Sequence, residues 1–315
     1  MKIVIIEPLG IDQDVLESLR AKVVKDGDEF VAYDTRVTDE ATLIERGHDA
    51  DIIVVANLPL NANVINGFYN LKYLAIAFTG VDHVDLAACK AKGVQVSNAA
   101  GYSTCAVADL VFGLVIDLYR HIDQADVLTR DSKTKAGLSA FEIEGKKFGV
   151  VGTGAIGLRV ASIAHAFGAE VYAYSRTVKD IPYIKYVDKE TLFKECDIIS
   201  LHTPLNNETR GLVGEKELGL MKKSALLINT ARGPVVDQTA LYNALINKQI
   251  AGAGIDVYEV EPPISAENPL LKTTNTILTP HIGFYTKEAL VKRAIIVFDN
   301  IKAYLEGNPT NLVNL

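Results

Sequence analysis

The sequence predicts an α/β protein built on doubly wound parallel sheets, and three observations carry that expectation. Short apolar runs rich in Val and Ile recur along the 315 residues. Amphipathic stretches with helical spacing separate them. A glycine-rich turn joins one such run to one such stretch. Strands that are apolar without alternation are buried on both faces, which parallel sheets achieve by crossing over through helices.

The first series of strand runs covers residues 2–6, 51–55, 73–78 and 94–97. The second covers 147–152, 170–174, 197–202, 225–229, 253–257 and 276–279. Helical patterns occupy 12–22, 158–167, 239–247 and 287–305, and the Ala-, Leu- and Val-rich stretch 105–120 reads as one long helix. Residues 146–157 open a fresh strand-turn-helix unit. The expected layout is a cofactor domain at 99–284, inserted into a second domain made of 1–98 and 285–315. A chain of this length is consistent with two domains.

Composition narrows the function. Lys and Arg number 32 against 39 Asp and Glu, a formal charge of −7 with no basic block, so no nucleic-acid partner is expected. The longest clean apolar run, 110–116, is far short of the ~18 residues that span a bilayer, so no membrane partner is expected either. The opening Met1-Lys2-Ile3-Val4-Ile5-Ile6-Glu7-Pro8 is too short an apolar stretch for a signal peptide. Cys89, Cys105 and Cys196 form no CxxC and read as reduced thiols of a cytoplasmic protein; no metal is expected.

Gly152-Thr153-Gly154-Ala155-Ile156-Gly157 is a GxGxxG turn after a strand pattern and before a helical one. Gly152 permits the tight turn, Gly154 a close backbone approach to a pyrophosphate, and Gly157 close helix–strand packing. The free N–H groups at the start of the following helix favour phosphate. Dinucleotide binding follows, on a Rossmann unit. The second strand, 170–174, should then end in an acid that holds the ribose 2′-OH of NAD. It runs instead into Ser175-Arg176-Thr177. A guanidinium with two hydroxyls beside it suits a 2′-phosphate, so NADP(H) is favoured over NAD(H). The plainer reading makes Arg176 a solvated loop residue that stacks on adenine.

Three further strand ends carry polar groups. Arg232 follows a buried strand in Asn229-Thr230-Ala231-Arg232-Gly233, and its planar fork suits a carboxylate. Asp256 and Glu261 follow the next strand, and His281 the one after it. A carboxylate hydrogen-bonded to imidazole orients the ring and favours its protonated form. His48, His83, His121 and His165 carry no such context, and His202 ends a strand where it lines the cofactor cleft without chemistry. A dinucleotide fold with a carboxylate clamp and a His–Glu pair is the minimum kit for hydride transfer to a 2-oxo acid.

At these residues the chain resembles the D-isomer-specific 2-hydroxyacid dehydrogenase family along essentially its whole length. The motifs are Thr79-Gly80-Val81-Asp82-His83-Val84-Asp85, Asn98 through Gly101-Tyr102-Ser103-Thr104, the glycine loop, His202-Thr203-Pro204-Leu205, Asn229 to Gly233, Asp256 with Glu261-Pro262, and Thr279-Pro280-His281. The resemblance implies a Rossmann cofactor domain inserted into a flavodoxin-like substrate domain, and a homodimer formed through the inserted domain and its long helix. It makes Arg232, Glu261 and His281 the catalytic set, with His281 as proton donor, Glu261 holding it, and Arg232 gripping the substrate carboxylate. Thr104, Ala155, Ile156, Thr203, Pro204, Thr209, Thr230 and Ala231 fall on cofactor positions, and Asp256 on the nicotinamide side. The substrate, a small 2-oxo or 2-hydroxy acid, falls to Thr79, Gly80 and Val81 with Arg232, and to Asn57, Leu58 and Tyr285 near its side chain.

Two positions depart from the family pattern: Ser175 replaces the acid that selects NAD, and Asp109 stands where many members have Glu. Glu261 argues against the formate dehydrogenase branch, which pairs its His with Gln. Leu58 and the pair Phe284-Tyr285 point to an apolar substrate side chain, as in lactate dehydrogenase-like members. The Ser-Arg-Thr loop also occurs in glyoxylate and hydroxypyruvate reductase-like members, which is the alternative enzyme reading. A nucleotide-sensing binding protein on the same fold is the alternative of another class, disfavoured by the intact Arg–Glu–His set.

Overall fold

Continuous burial along single strands identifies the sheets. Every residue of Ile52–Val55, Tyr73–Ile76, Ile198–Leu201 and Leu226–Asn229 is buried, as strands covered on both faces must be. The computed structural model describes residues 1–261 and 263–314, so Pro262 of the Glu261-Pro262 pair lies outside the described residues. The chain divides into two units, Met1–Ser103 with Tyr285–Leu315, and Thr104–Phe284. Residues 99–103, expected with the inserted segment, cluster with the first unit.

In the first unit β1 (Lys2–Ile5), α1 (Gln13–Arg20), β2 (Glu29–Ala32), α2 (Glu40–Gly47), β3 (Ile52–Val55), α3 (Ala62–Gly67), β4 (Tyr73–Ile76), α4 (Leu86–Ala91) and β5 (Gln95–Asn98) follow one another. The second unit runs α5 (Thr104–Arg120), α6 (Ile122–Arg130), β6 (Lys147–Val151), α7 (Ala155–Ala166), β7 (Glu170–Tyr174), β8 (Ile184–Tyr186), α8 (Lys189–Glu195), β9 (Ile198–Leu201), α9 (Glu215–Leu220), β10 (Leu226–Asn229), α10 (Gln238–Ile246), β11 (Gly252–Ile255) and β12 (Thr276–Leu278). The last helix, α11 (Lys287–Leu305), belongs to the first unit.

The first sheet has the order β2-β1-β3-β4-β5 with every pair parallel. Strand order reverses between β1 and β3, and ligands of open α/β sheets bind outside the carboxyl ends at such a point. α11 buries Val297, Phe298 and Ile301 and is pinned by two polar contacts. Asn300 Nδ2 donates to the Asn98 carbonyl at 3.0 Å, and Arg293 Nη2 to the Leu9 carbonyl at 2.7 Å. The tail then covers the β5 edge: Leu312 pairs antiparallel with Ser97, and Val313 N donates to the Val96 carbonyl at 2.8 Å. A covered edge offers no template for a foreign strand.

The second sheet has the order β12-β11-β10-β9-β6-β7-β8, again parallel throughout, and reverses between β6 and β9. Its two faces carry separate apolar clusters, one with Leu192, Phe193, Leu227 and Leu241, the other with Val111, Leu114, Phe148 and Val160. β2 and β8 are additions to the expected strands. Both are short edge strands, and β2 has no buried residue, so neither leaves an apolar run in the sequence.

Candidate active site

The carboxyl end of β6 leads straight into the glycine turn. Gly152 adopts φ +93°, a left-handed backbone that only glycine takes without strain. A Cβ there would also lie 2.6 Å from the His202 carbonyl oxygen, and one at Gly157 would lie 1.9 Å from the Gly152 carbonyl oxygen. Space around Gly154 is open, and Gly154 caps α7 with Ala155 as its exposed first residue. Ser175 is tied to this turn, its Oγ accepting from the Thr153 N–H at 3.3 Å. Tyr186 on β8 donates to Thr153 Oγ1 at 3.2 Å, a support invisible to the sequence reading. Arg176 and Thr177 are exposed, and the Arg176 guanidinium has no hydrogen bond or ion pair among the described residues.

Two buried hydroxyls face the same strand ends without a partner: Thr203 Oγ1 after β9 and Thr230 Oγ1 after β10. A buried hydroxyl left unbonded costs about 1–3 kcal/mol, so each calls for a ligand atom. The open space at Gly154, the free helix start and these two hydroxyls fit a dinucleotide laid across the β6/β9 reversal. Thr209 supports the loop after β9, its hydroxyl donating to the Pro204 carbonyl at 2.6 Å and accepting from the Asn206 N–H at 2.9 Å. Thr104 starts α5 and is half-buried.

His202 Nε2 lies 2.8 Å from Ser200 Oγ, and desolvation pushes its pKa down from 6.5 to about 3. The imidazole is therefore neutral in the folded protein. Unfolded His202 gains a proton below pH 6.5 that the folded ring refuses, so stability falls as pH drops from 6.5 toward 3. His202→Asn is expected to remove this part of the acid dependence, at most about 2 kcal/mol between pH 7 and pH 5. Urea midpoints of both proteins at the two pH values measure it, and equal shifts in both would refute it.

The third group lies at the ends of β10, β11 and β12. Asn229, 1% exposed, holds the loop after β10: Oδ1 accepts from the Ala231 N–H at 3.1 Å, and Nδ2 donates to the Arg232 carbonyl at 3.0 Å. Arg232 Nη1 donates to the Ala231 carbonyl at 2.8 Å. The next residue must be glycine, because a Cβ on Gly233 would lie 1.9 Å from the Tyr258 carbonyl carbon. That contact brings the Arg232 loop against the segment bearing Glu261. Glu261 Oε2 accepts from the Tyr258 N–H at 3.2 Å, and Oε1 lies 2.9 Å from His281 Nδ1.

His281 takes φ +55°, a left-handed conformation that costs a non-glycine residue of order 1–3 kcal/mol and marks a site the surroundings hold in place. Asp256 does the holding. Its Oδ1 accepts from Thr279 Oγ1 at 2.6 Å and from the Ile282 N–H at 2.8 Å, its Oδ2 from the Gly283 N–H at 2.8 Å. The Asp256 carbonyl accepts from the His281 N–H at 2.8 Å. Burial raises the Asp256 pKa, and these hydrogen bonds oppose the rise. The residue expected to face the nicotinamide thus has both carboxylate oxygens committed to the turn that carries His281. Phe284 meets His281 edge to face, with ring centroids 5.4 Å apart.

The remaining positions lie in the first unit. Gly80 and Val81, half-buried after β4, have N–H groups without a hydrogen-bond partner among the described residues. The Thr79 carbonyl accepts from Asn98 Nδ2 at 2.7 Å. Asn57 follows β3 and is half-buried, and Tyr285 is 63% exposed. Leu58 departs from expectation: its side chain is 0% exposed and packed in the core, so it offers no apolar surface to a substrate. Sequence reasoning also passed over Glu7, which organises this loop. Its only signal is an acid directly after a buried strand.

Such a fold and such a site define a nicotinamide-nucleotide oxidoreductase acting on the CH–OH group of 2-hydroxy acids. Residues 112–283 match the family model described as D-isomer specific 2-hydroxyacid dehydrogenase, NAD binding domain. A glyoxylate reductase of Thermococcus litoralis is 39% identical over 89% of this chain and 88% of its own. A hydroxypyruvate reductase of Thermotoga maritima is 39% identical over 80% of this chain and 84% of its own. Among solved structures, an acyclic imino acid reductase in complex with NADPH and D-Arg superposes with a TM-score of 0.90, at 35% identity over the whole of both chains. The chain belongs to the D-isomer specific 2-hydroxyacid dehydrogenase family.

Proposed function

We propose that the protein reduces a 2-oxo acid to the D-2-hydroxy acid, with His281 as proton donor, Glu261 as its partner and Arg232 as the carboxylate clamp. The contact between Glu261 Oε1 and His281 Nδ1, 2.9 Å long on a turn locked by Asp256, carries this reading. Glu261 accepts the Nδ1 proton, which leaves the Nε2 proton for the substrate oxygen, and its charge compensates the imidazolium. Arg232 pairs with the substrate carboxylate. A bound nicotinamide supplies the hydride to C2. In the reverse direction His281 takes the hydroxyl proton. The carrying experiment is nucleotide oxidation, followed by absorbance, with a panel of 2-oxo acids and both nucleotides; no turnover with any acid would refute the proposal.

Thr104, Gly152, Gly154 to Gly157, Thr203 and Thr230 would hold the dinucleotide, and NADP(H) is the preferred form. Arg176 supports that preference, an uncommitted guanidinium with Ser175 and Thr177 beside it where a 2′-phosphate would fall. Arg176→Ala is expected to lower kcat/KM for NADPH about 10- to 100-fold while changing that for NADH less than threefold. Equal changes for the two nucleotides would place Arg176 outside 2′-phosphate recognition.

A second reading, a glyoxylate or hydroxypyruvate reductase, is favoured by the burial of Leu58, which takes that apolar side chain out of the surface of the loop after β3. A homodimer of the 34.2 kDa chain accords with α6, which buries none of its residues, and with Ile122, Val127 and Phe141, each at least half exposed. Sedimentation at twice the chain mass checks it. The free thiols Cys89, Cys105 and Cys196 accord with a cytoplasmic setting.

A further inference from the structure

The loop that follows β7 is held to the rest of the second unit through one residue. Ser175 to Asp180 lie outside any strand or helix. Among the described residues they make two hydrogen bonds, and both go to Thr153 in the glycine turn. Ser175 Oγ accepts from the Thr153 N–H at 3.3 Å, and the Thr177 carbonyl accepts from Thr153 Oγ1 at 3.4 Å. Thr153 is 3% exposed, and its hydroxyl has one further partner. Tyr186 donates to Thr153 Oγ1 at 3.2 Å. The pairing of β8 with β7 brings it there, with Tyr186 opposite Ala173 and the Val187 N–H donating to the Ala173 carbonyl at 2.9 Å. The Tyr186 ring packs against the apolar cluster on one face of the sheet, which fixes its hydroxyl beside the turn.

These bonds set directions. A threonine hydroxyl carries a single hydrogen. With Tyr186 donating to Thr153 Oγ1, that hydrogen is left for the Thr177 carbonyl. Ser175 Oγ accepts from the backbone, and its own hydrogen has no inward partner among the described residues. Arg176 and Thr177 are exposed, and neither side chain has a hydrogen bond or ion pair among the described residues. The Ser175 lone pair and the Thr177 carbonyl are thus turned inward, and the donors of all three side chains are left outward. Such a face suits a phosphate, which accepts at every oxygen, and offers no carboxylate to a ribose hydroxyl. The three bonds are long, between 3.2 and 3.4 Å, so the loop depends on their acting as a chain.

We infer that Tyr186 is a positioning residue for nucleotide selection: through Thr153 it holds Ser175 to Thr177 in the arrangement that takes the 2′-phosphate of NADP(H). The inference rests on the NADP(H) preference proposed above, and it adds a residue that makes no hydrogen bond with the loop itself. The pyrophosphate turn needs no such help, because the backbone clearances at Gly152 and Gly157 fix it. Loss of the Tyr186 hydroxyl is therefore felt by the nucleotide that carries the 2′-phosphate.

The test measures dissociation constants of NADPH and NADH by nucleotide fluorescence in the wild type, Tyr186→Phe, Arg176→Ala and the double variant. Phenylalanine keeps the ring on its cluster and removes only the hydroxyl. The wild type is expected to bind NADPH at least tenfold more tightly than NADH. Tyr186→Phe should weaken NADPH about three- to tenfold, the worth of one hydrogen bond, and change NADH less than twofold. In the Arg176→Ala background the same substitution should weaken NADPH by a smaller factor, because the main phosphate ligand that Tyr186 helps to place is gone. Should Tyr186→Phe not fold, Thr153→Val, which keeps the shape and removes the middle hydroxyl, decides by the same selective loss. Unchanged NADPH binding overturns the inference. So does equal weakening of both nucleotides, the mark of a tyrosine that merely supports the glycine turn. An equal factor in the two backgrounds overturns it as well. A wild type without the tenfold preference overturns the NADP(H) reading on which the inference rests.

Discussion

His281→Gln is expected to lower kcat for 2-oxo acid reduction by about 10²- to 10⁴-fold while nucleotide affinity changes less than about threefold. Glutamine keeps a polar side chain of similar reach and still meets Glu261, but it has no proton to give at neutral pH. The loss should therefore appear in kcat, with KM for the acid changing much less. Stopped-flow turnover and nucleotide fluorescence titration measure the two halves of this statement. A kcat within tenfold of wild type would remove His281 from the proton-donor role. The strained φ of +55° gives a second check. Strain held by Asp256 is retained for position, so the variant should fold with a thermal midpoint close to that of the parent.

Arg232→Ala should reduce kcat/KM for the 2-oxo acid by two to three orders of magnitude. Removing one partner of a buried, hydrogen-bonded charge pair costs about 2–5 kcal/mol, and 1.36 kcal/mol is a factor of ten. Both KM and kcat should suffer, because a substrate released at its carboxylate also loses its alignment with the hydride donor. Arg232→Lys keeps the charge but forfeits the bidentate fork, so it should recover only part of the loss. Restoration of full activity by lysine would mean that simple charge, without geometry, is what Arg232 supplies. In the variant the loop keeps its holds from Asn229 and from the approach of Gly233 to Tyr258, neither of which uses the Arg232 side chain.

The legible parts of this protein are those in which one local pattern has one physical meaning. Runs such as 52–55 and 226–229 are apolar at every position because they are covered on both faces, and no exposed element would be written that way. The glycine turn was legible for the same reason: φ +93° at Gly152 and the 1.9 Å clearance at Gly157 admit no other residue. β2 and β8 escaped because edge strands of four and three residues need bury little. The helices α2, α3, α4, α6, α8 and α9 escaped, although α1 and α10 of similar length were legible, because six to nine residues rest a period on only a few apolar positions.

Site residues divide along a similar line. Glu261 and His281 could be paired on paper because both follow consecutive strands of one sheet, and parallel neighbours end at the same edge. Asp256 and Leu58 could be placed at that edge or at the corresponding edge of the other sheet, but their directions could not. Asp256 turns to the backbone of Ile282 and Gly283, and Leu58 turns into the core. One residue of shift beyond a strand end reverses a side chain, and the sequence carries no record of where the strand stops.

By itself, then, the sequence determined the α/β class and the inserted nucleotide-binding segment, and it put Glu261 and His281 after neighbouring strands, because each depends on residue types at spacings the chain itself enforces. Tertiary structure decided what joins residues far apart along the chain. Glu7, Arg36, Arg46 and Asn57 become one cluster only because β1, β2 and β3 lie side by side in parallel, and the support of the His281 turn by Asp256 exists only because β11 pairs with β12. Hydrogen bonds reach about 3 Å, and which distant residues come within that range is settled by strand register.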